Sequence, residues 1–188
     1  MSGLRVIGGK AKGRKLFMVP GGGTRPIADR VKESLFNLLG PEIEGSSFLD
    51  LFAGTGSVGI EALSRSAAAV TFIERERRAI KTIERNLLHT QLGQNAQVRR
   101  MDAFAFLMQP GGQSFDYVFV APPQYQGLAY RALETMDEHP QVLRPDGWVI
   151  LQMDPHEEKP VTLGRLHQFD RRKYGQTLLV FYSHKAIE

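Results

Sequence analysis

The chain has 188 residues, 42% hydrophobic and 23% charged, which fits one globular domain with a full core and excludes a disordered or fibrous protein. It has no cysteine, so disulfides and cysteine-ligated zinc are excluded, and it has neither a signal core nor an apolar run long enough to cross a bilayer, so a cytoplasmic protein with no membrane partner is expected. The net charge of +4 is uneven: residues 1–40 carry eight basic residues against two acids, a net +6 that leaves −2 for the rest, the footprint of a polyanion-binding arm or of a solvated basic surface.

In chain order, residues 4–7 and 15–19 are short β-prone runs separated by Gly8, Gly9 and Gly13. They predict a small N-terminal β-hairpin with a lysine-rich turn, packed on the body or on RNA. Residues 20–26 (PGGGTRP) read as a flexible connector and as a lid over a neighbouring site. Residues 29–39 predict a helix with an apolar stripe of Val31, Leu35, Phe36, Leu38 and Leu39. Arg30 and Lys32 are placed off that stripe, and Gly40-Pro41 stops the helix.

Residues 48–65 (FLDLFAGTGSVGIEALSR) organise the rest. An apolar strand ends in a turn holding Gly54, Gly56 and Gly59, and an amphipathic helix with Val58, Ile60, Ala62 and Leu63 follows. That is the opening of a nucleotide-binding crossover unit. Asp50, at the strand end, helps choose the ligand. A carboxylate beside the loop disfavours a pyrophosphate and suits an ammonium-bearing or cationic one. Asp50-x-x-x-Gly54-x-Gly56 therefore resembles motif I of class I methyltransferases, whose acid lies near the methionine end of S-adenosylmethionine.

The alternation continues. A second strand over 69–73 ends at Glu74, 24 positions after Asp50, where an acid can bind both ribose hydroxyls or simply begin the next helix. A helix over 75–92 carries Ile80, Ile83, Leu87 and Leu88 on one side and arginines on the other, with Gly93 closing it. A third strand over 96–99 precedes Asp102, which reads equally as an adenine contact and as the N-cap of a helix over 103–108. A fourth strand spans 115–120, a helix 128–136, a fifth strand 147–153, and strands over 166–171 and 177–182 close the chain as a hairpin. The histidines show no metal spacing, and Asp154, Glu157 and Glu158 read as a solvated acidic loop.

The wording RVIGGKAKGRKL at 5–16 and TRPIADRVKESLFNLL at 24–39 closely resembles the N-terminal signature of the bacterial RsmD-type enzymes, 16S rRNA guanine-N2 methyltransferases. The resemblance runs from Arg5 to Tyr182. It implies an α/β fold: a seven-stranded, mostly parallel Rossmann-like sheet with helices on both faces, its last strand reversed, plus the N-terminal hairpin. It implies a basic RNA-binding extension over 1–40 and a cofactor-binding domain over 41–188. S-adenosylmethionine is the implied cofactor, 16S rRNA or a small-subunit assembly particle the partner, with no metal and a monomeric state. Asp50, Phe52, Ala53, Gly54 and Gly56 would hold the methionine end. Glu74 and Arg75 would meet ribose, Asp102 and Ala103 adenine, with Ala121 bordering the cofactor. Arg5, Lys10, Arg14, Lys15, Arg25 and Arg30 would grip phosphates.

The base pocket would be lined by Pro122, Pro123, Gln124 and Tyr125, the catalytic set. Base-amino methyltransferases usually have Asp or Asn, then Pro-Pro, then an aromatic. Here Ala121 takes the acid's place, Gln124 the aromatic's, and Tyr125 comes one residue later. Three readings follow. The enzyme is active, with the Pro122 carbonyl and Gln124 or another group accepting the amine hydrogens; or it is an RNA-binding or assembly factor with a vestigial pocket; or it methylates a different nucleobase. An NAD-dependent oxidoreductase built on the same glycine turn is a further rival.

Overall fold

The computed structural model describes residues 4–22 and 26–186. Its centre is a seven-stranded sheet of order β3-β2-β1-β4-β5-β7-β6. The strands are β1 (Ser47–Leu51), β2 (Ala69–Glu74), β3 (Ala96–Arg100), β4 (Phe115–Val120), β5 (Leu143–Met153), β6 (Leu166–Tyr174) and β7 (Thr177–His184). Parallel pairing joins β1 to β2 and β4, β2 to β3, and β4 to β5. Only β7 is reversed, pairing antiparallel with both β5 and β6. The expected architecture stands.

The helices are α1 (Asp29–Leu39), α2 (Ser57–Ser64), α3 (Arg77–Thr90), α4 (Ala103–Leu107) and α5 (Leu128–Glu138). Because both faces of the sheet are covered at its centre, strands β1, β2, β4 and β7 are mostly apolar, while the edge strands β3 and β6 are largely polar. Alternate side chains build two cores. Phe48, Phe72, Phe119, Ile150 and Phe181 pack with α1, α2 and α3. Leu49, Leu51, Val118, Val120 and Leu151 pack with α4 and α5. Crossovers leave the β1–β4 pair in opposite directions, so a crevice opens at the carboxyl ends of those strands, where such sheets bind ligands.

Helix α2 corrects the amphipathic expectation: all eight of its residues are buried. Its outer side lies under the N-terminal segment, whose Leu4, Val6, Ala11 and Leu16 share a core with Phe48 and Phe119. The predicted hairpin is reduced to one antiparallel bridge, Arg5–Lys15, flanked by Val6 N–H to Arg14 O and Leu16 N–H to Leu4 O bonds at 2.9 and 2.8 Å. The segment is held by side chains instead. Glu61, on α2, accepts from Ile7 N–H and Gly8 N–H at 2.8 Å each. Asn86, on α3, accepts from Phe17 N–H at 2.7 Å and donates to Phe17 O and Thr55 O.

Two further differences share one cause. Lys32, expected off the stripe, is fully buried, its ammonium donating to Arg5 O at 2.6 Å and lying 3.6 Å from Glu61. On α3 the buried face holds Thr82, Asn86 and Thr90 beside Ile83 and Leu87, while Leu88 is 81% exposed. Lys32 and Asn86 take interior places because the N-terminal backbone, which has few sheet bonds, needs partners there, while Thr82 and Thr90 satisfy their hydroxyls on carbonyls of their own helix. Helix α3 ends on left-handed Gln91, not Gly93.

Gly59 sets the spacing between α2 and the sheet. A Cβ there would lie 2.3 Å from a ring carbon of Phe72 and 2.9 Å from Val70, and Phe72 is fully buried with no room to retreat. The variant Gly59→Ala is expected to lose about 3 kcal/mol, the upper end for overpacking, read as a lowered urea midpoint at unchanged slope.

Candidate active site

The crevice at the strand tips is a cleft of about 860 Å³. Its lining includes Asp50, Phe52, Ala53, Gly54, Glu74, Arg75, Asp102, Ala103, Ala121, Pro122, Pro123 and Gln124, twelve of the sequence-predicted site residues. Acids from the ends of β1, β2 and β3 thus face one cavity. Its remaining wall is the N-terminal segment, through Val19, Pro20, Gly21, Gly22, Pro26 and Ile27. Arg25 and the centre of the expected lid lie outside the described residues.

The glycine loop is built for close approach. Gly54 and Gly56 have φ of 56° and 75°, a region that disfavours side chains. Gly56, the N-cap of α2, lies outside the cleft lining. Phe52, a non-glycine at φ 65°, holds strain of the kind that collects at functional sites. Its ring meets Phe104 edge-on, centroids 6.1 Å apart.

Each acid has a defined job before any ligand arrives. Asp50 is 2% exposed and its Oδ2 accepts from Gly59 N–H at 2.9 Å. Burial pushes its carboxyl up to about 8, the nearby Glu74 charge adds to the rise, and the Gly59 bond opposes it. Glu74 accepts from Gly54 N–H at 2.9 Å on one oxygen and from Arg75 and Glu76 N–H at 2.8 and 2.9 Å on the other. It is therefore the clasp between β2 and the glycine loop as well as a cleft-facing carboxylate. Asp102 caps α4 with Oδ1, accepting from Phe104 and Ala105 N–H at 2.9 and 3.0 Å.

The turn after β4 is organised by the acids read from sequence as a solvated loop. Tyr125 is left-handed, at φ 59°, and 66% exposed at the rim, outside the cleft lining. Its N–H donates to Glu157 Oε1 at 2.7 Å and its hydroxyl bonds Asp154. Bonds from His156 N–H and the Tyr125 hydroxyl hold the Asp154 carboxyl down at about 2. Glu158 makes a two-point ion pair with Arg171, both contacts at 2.6 Å. The acidic cluster anchors the Pro-Pro turn to the end of β5.

The family model described as "Conserved hypothetical protein 95" matches residues 4–183. The chain belongs to this family. It is the RsmD-type family of the sequence resemblance. Ribosomal RNA small subunit methyltransferase D of Escherichia coli K12 is 42% identical over 146 residues, 78% of this chain and 69% of that protein. YlbH of Bacillus subtilis is 40% identical, covering 97% of this chain and all of its own. The solved structure of Escherichia coli yhhF superposes with a TM-score of 0.86 at 34% identity, covering 98% of this chain and 99% of that one.

In this RsmD-type chain the structure adds site residues that the sequence reading passed over. Arg131, on α5, lines the cleft with its guanidinium 3.9 Å from the centroid of Phe104. Gln152, near the end of β5, also lines it. It was visible as the polar residue interrupting GWVILQM, since a polar side chain in a strand buried on both faces has a partner or a task. Of the basic residues, Lys10, Lys12, Arg14, Lys15 and Arg30 are exposed. Arg5 is paired with Asp29 at 2.9 Å, and Arg14 donates to His89 O at 2.6 Å. Among the described residues no group of three or more metal-ligating side chains gathers.

Proposed function

We propose that this protein transfers a methyl group from S-adenosylmethionine to the exocyclic N2 of a guanine in small-subunit rRNA. The observation that carries the proposal is the convergence of Asp50, Glu74 and Asp102, from three adjacent strand tips, on the cleft that also holds the Pro122-Pro123 turn. Relatives of similar length are named as rRNA small subunit methyltransferases. The residues fit the cofactor: a buried carboxylate for an ammonium, a second for a diol, and a glycine cradle between them.

When bound, S-adenosylmethionine supplies an electrophilic methyl group on a sulfonium sulfur. Asp50 pairs with the cofactor's ammonium, Glu74 accepts from ribose hydroxyls, and Asp102 with Ala103 meets adenine. The Pro122 carbonyl accepts an amine hydrogen of the target base, and Tyr125, at the rim, stacks on the base once it leaves its helix. An exocyclic amine is a poor nucleophile because its lone pair is delocalised into the ring, so acceptors that fix its hydrogens contribute through orientation. The 1–40 extension, with Lys10, Arg14, Lys15, Arg25 and Arg30, holds phosphates, which makes binding salt-dependent.

The replacement of the usual acid by Ala121 favours one second reading, an RNA-binding assembly factor without transfer. Incubation with labelled methyl donor and undermethylated small-subunit RNA or particles separates the two. Incorporation, mapped to a guanine N2 that is unmodified in cells lacking the protein, is the expected result. Cofactor and RNA binding without incorporation would establish the second reading, and binding of NAD alone would refute both.

The raised Asp50 carboxyl gives a pH signature. With its value near 8 in the empty protein, the group is mostly protonated at pH 7, and a cationic ligand binds the ionised form. Calorimetry at pH 7 is expected to show release of close to one proton, with affinity rising up to about tenfold per unit toward pH 8 and levelling above it. The empty protein should correspondingly lose stability as pH rises from about 4 to 8, a loss the bound ligand reverses. Asp50→Asn keeps an acceptor for Gly59 N–H but should abolish the proton release.

A further inference from the structure

We infer that Gln152 is the catalytic residue that stands in for the missing acid, its amide oxygen accepting a hydrogen from the amine being methylated. The inference rests on the methyltransfer reading above and assigns the acceptor that the Pro-Pro turn lacks. Val120 and Leu151 are paired across parallel β4 and β5, so the next residues along the two strands are Ala121 and Gln152. Alternation puts both side chains on the face of Phe119 and Ile150, and both line the cleft. Adjacent strands lie about 4.8 Å apart, so a side chain at 152 reaches the space left by the short one at 121.

The amide oxygen itself points to a task. Among the described residues it is a buried side-chain oxygen with no hydrogen-bond partner, so no bond holds the amide in that orientation, and a half-turn about its last torsion brings the oxygen to the cleft side. Burying such an acceptor unpaired is unfavourable, and native proteins rarely do so without a use for it. A leucine at 152 would pack in this apolar strand without that penalty. The amine of a base seated beside Pro122 presents two N–H groups; the Pro122 carbonyl takes one and Gln152 the other. This fixes the amine plane and leaves the nitrogen lone pair facing the methyl donor. The nitrogen then bonds to the methyl carbon as the carbon–sulfur bond breaks, its electron pair staying on sulfur. The surplus amine proton leaves to water. Gln152, a neutral amide, orients the amine and keeps no proton.

The test compares wild type with Gln152→Leu, which removes the acceptor, and Gln152→Glu, which keeps one. Single-turnover transfer to undermethylated small-subunit RNA should fall about 100-fold in the leucine variant, the loss expected from a misplaced reacting group, and by clearly less in the glutamate variant, which keeps an acceptor. Affinity for S-adenosylhomocysteine and the melting temperature should not fall in either. Adding Ala121→Asp to the leucine variant should restore the rate. A binding readout needs no turnover: an RNA fragment carrying the mapped target guanosine should bind wild type several-fold more tightly than its inosine counterpart, which lacks the amine. That preference should vanish in Gln152→Leu and persist in Gln152→Glu. Wild-type rate in the leucine variant, weakened S-adenosylhomocysteine binding, or no guanosine preference in wild type overturns the assignment to Gln152 alone. A wild-type protein that transfers no methyl group overturns the parent reading and this one with it.

Discussion

Glu61→Ala is expected to cost about 3–5 kcal/mol of stability, the range for removing one member of a buried ion pair. For a chain of this size that lowers the melting temperature by about 6–20 °C. The carboxylate is fully buried, accepts from three donors, Ile7 N–H, Gly8 N–H and the Arg65 guanidinium at 2.9 Å, and faces the Lys32 ammonium at 3.6 Å. Burial already pulls the Lys32 ammonium below its usual range, with Glu61 opposing that shift. Removing Glu61 leaves a cation without its counter-charge and two amides without an acceptor. Lys32→Met should cost far less, because Glu61 keeps three closer partners. The double variant should then recover part of the loss, and that non-additivity identifies the pair as coupled. Because the detached segment also forms the cleft wall from Val19 to Gly22, limited proteolysis near residue 20 should accelerate in Glu61→Ala before global unfolding does.

This network also marks where the sequence stopped being legible. The seven-stranded sheet with its reversed last strand came through the family resemblance, and the strand order from the structure alone. The alternation of strands and helices and the acids at the strand ends follow from local patterns: an apolar run, a glycine turn, a helix. Lys32 did not, although it lies one and two turns from Phe36 and Leu39 on the same helix face. A lysine reads as solvent-seeking until its counter-charge is known, and Glu61 is 29 positions away. Leu88 failed for the mirror reason: Asn86 took an interior place because the N-terminal backbone required a partner there. In the site, Asp50 and Glu74 were singled out by their places at successive strand ends, and Asp102, Pro122 and Pro123 as cleft residues only through family resemblance; the structure brings all five to one cleft. Asp154 and Glu157 were read as solvated because nothing local shows that a turn 30 residues earlier needs anchors.

Glu74→Ala is expected to weaken S-adenosylhomocysteine binding at least about 100-fold, measured by calorimetry. Hydrogen bonds to a charged acceptor are worth about 1.5–3 kcal/mol each, and about 1.4 kcal/mol is a factor of ten. One such bond to a ribose hydroxyl supplies about tenfold or more of that loss, and release of Gly54 N–H from its 2.9 Å clasp adds the rest. Glu74→Gln should lie between. Its amide oxygen replaces one acceptor, while its NH2 faces a backbone N–H that it cannot accept from, so either the loop or the start of α3 is left unpaired. A structural clasp and a ribose contact predict different chemistry in the ligand. If the carboxylate only shapes the loop, removing the 2′-hydroxyl from the ligand weakens wild type and Glu74→Ala equally. If it binds ribose, that deletion weakens wild type by about tenfold or more and leaves Glu74→Ala unmoved, because the bond is already absent. Oε1 already accepts from two backbone N–H groups, but Oε2 accepts from Gly54 N–H alone and keeps a further lone pair, so the two roles coexist, and the second pattern is the one expected.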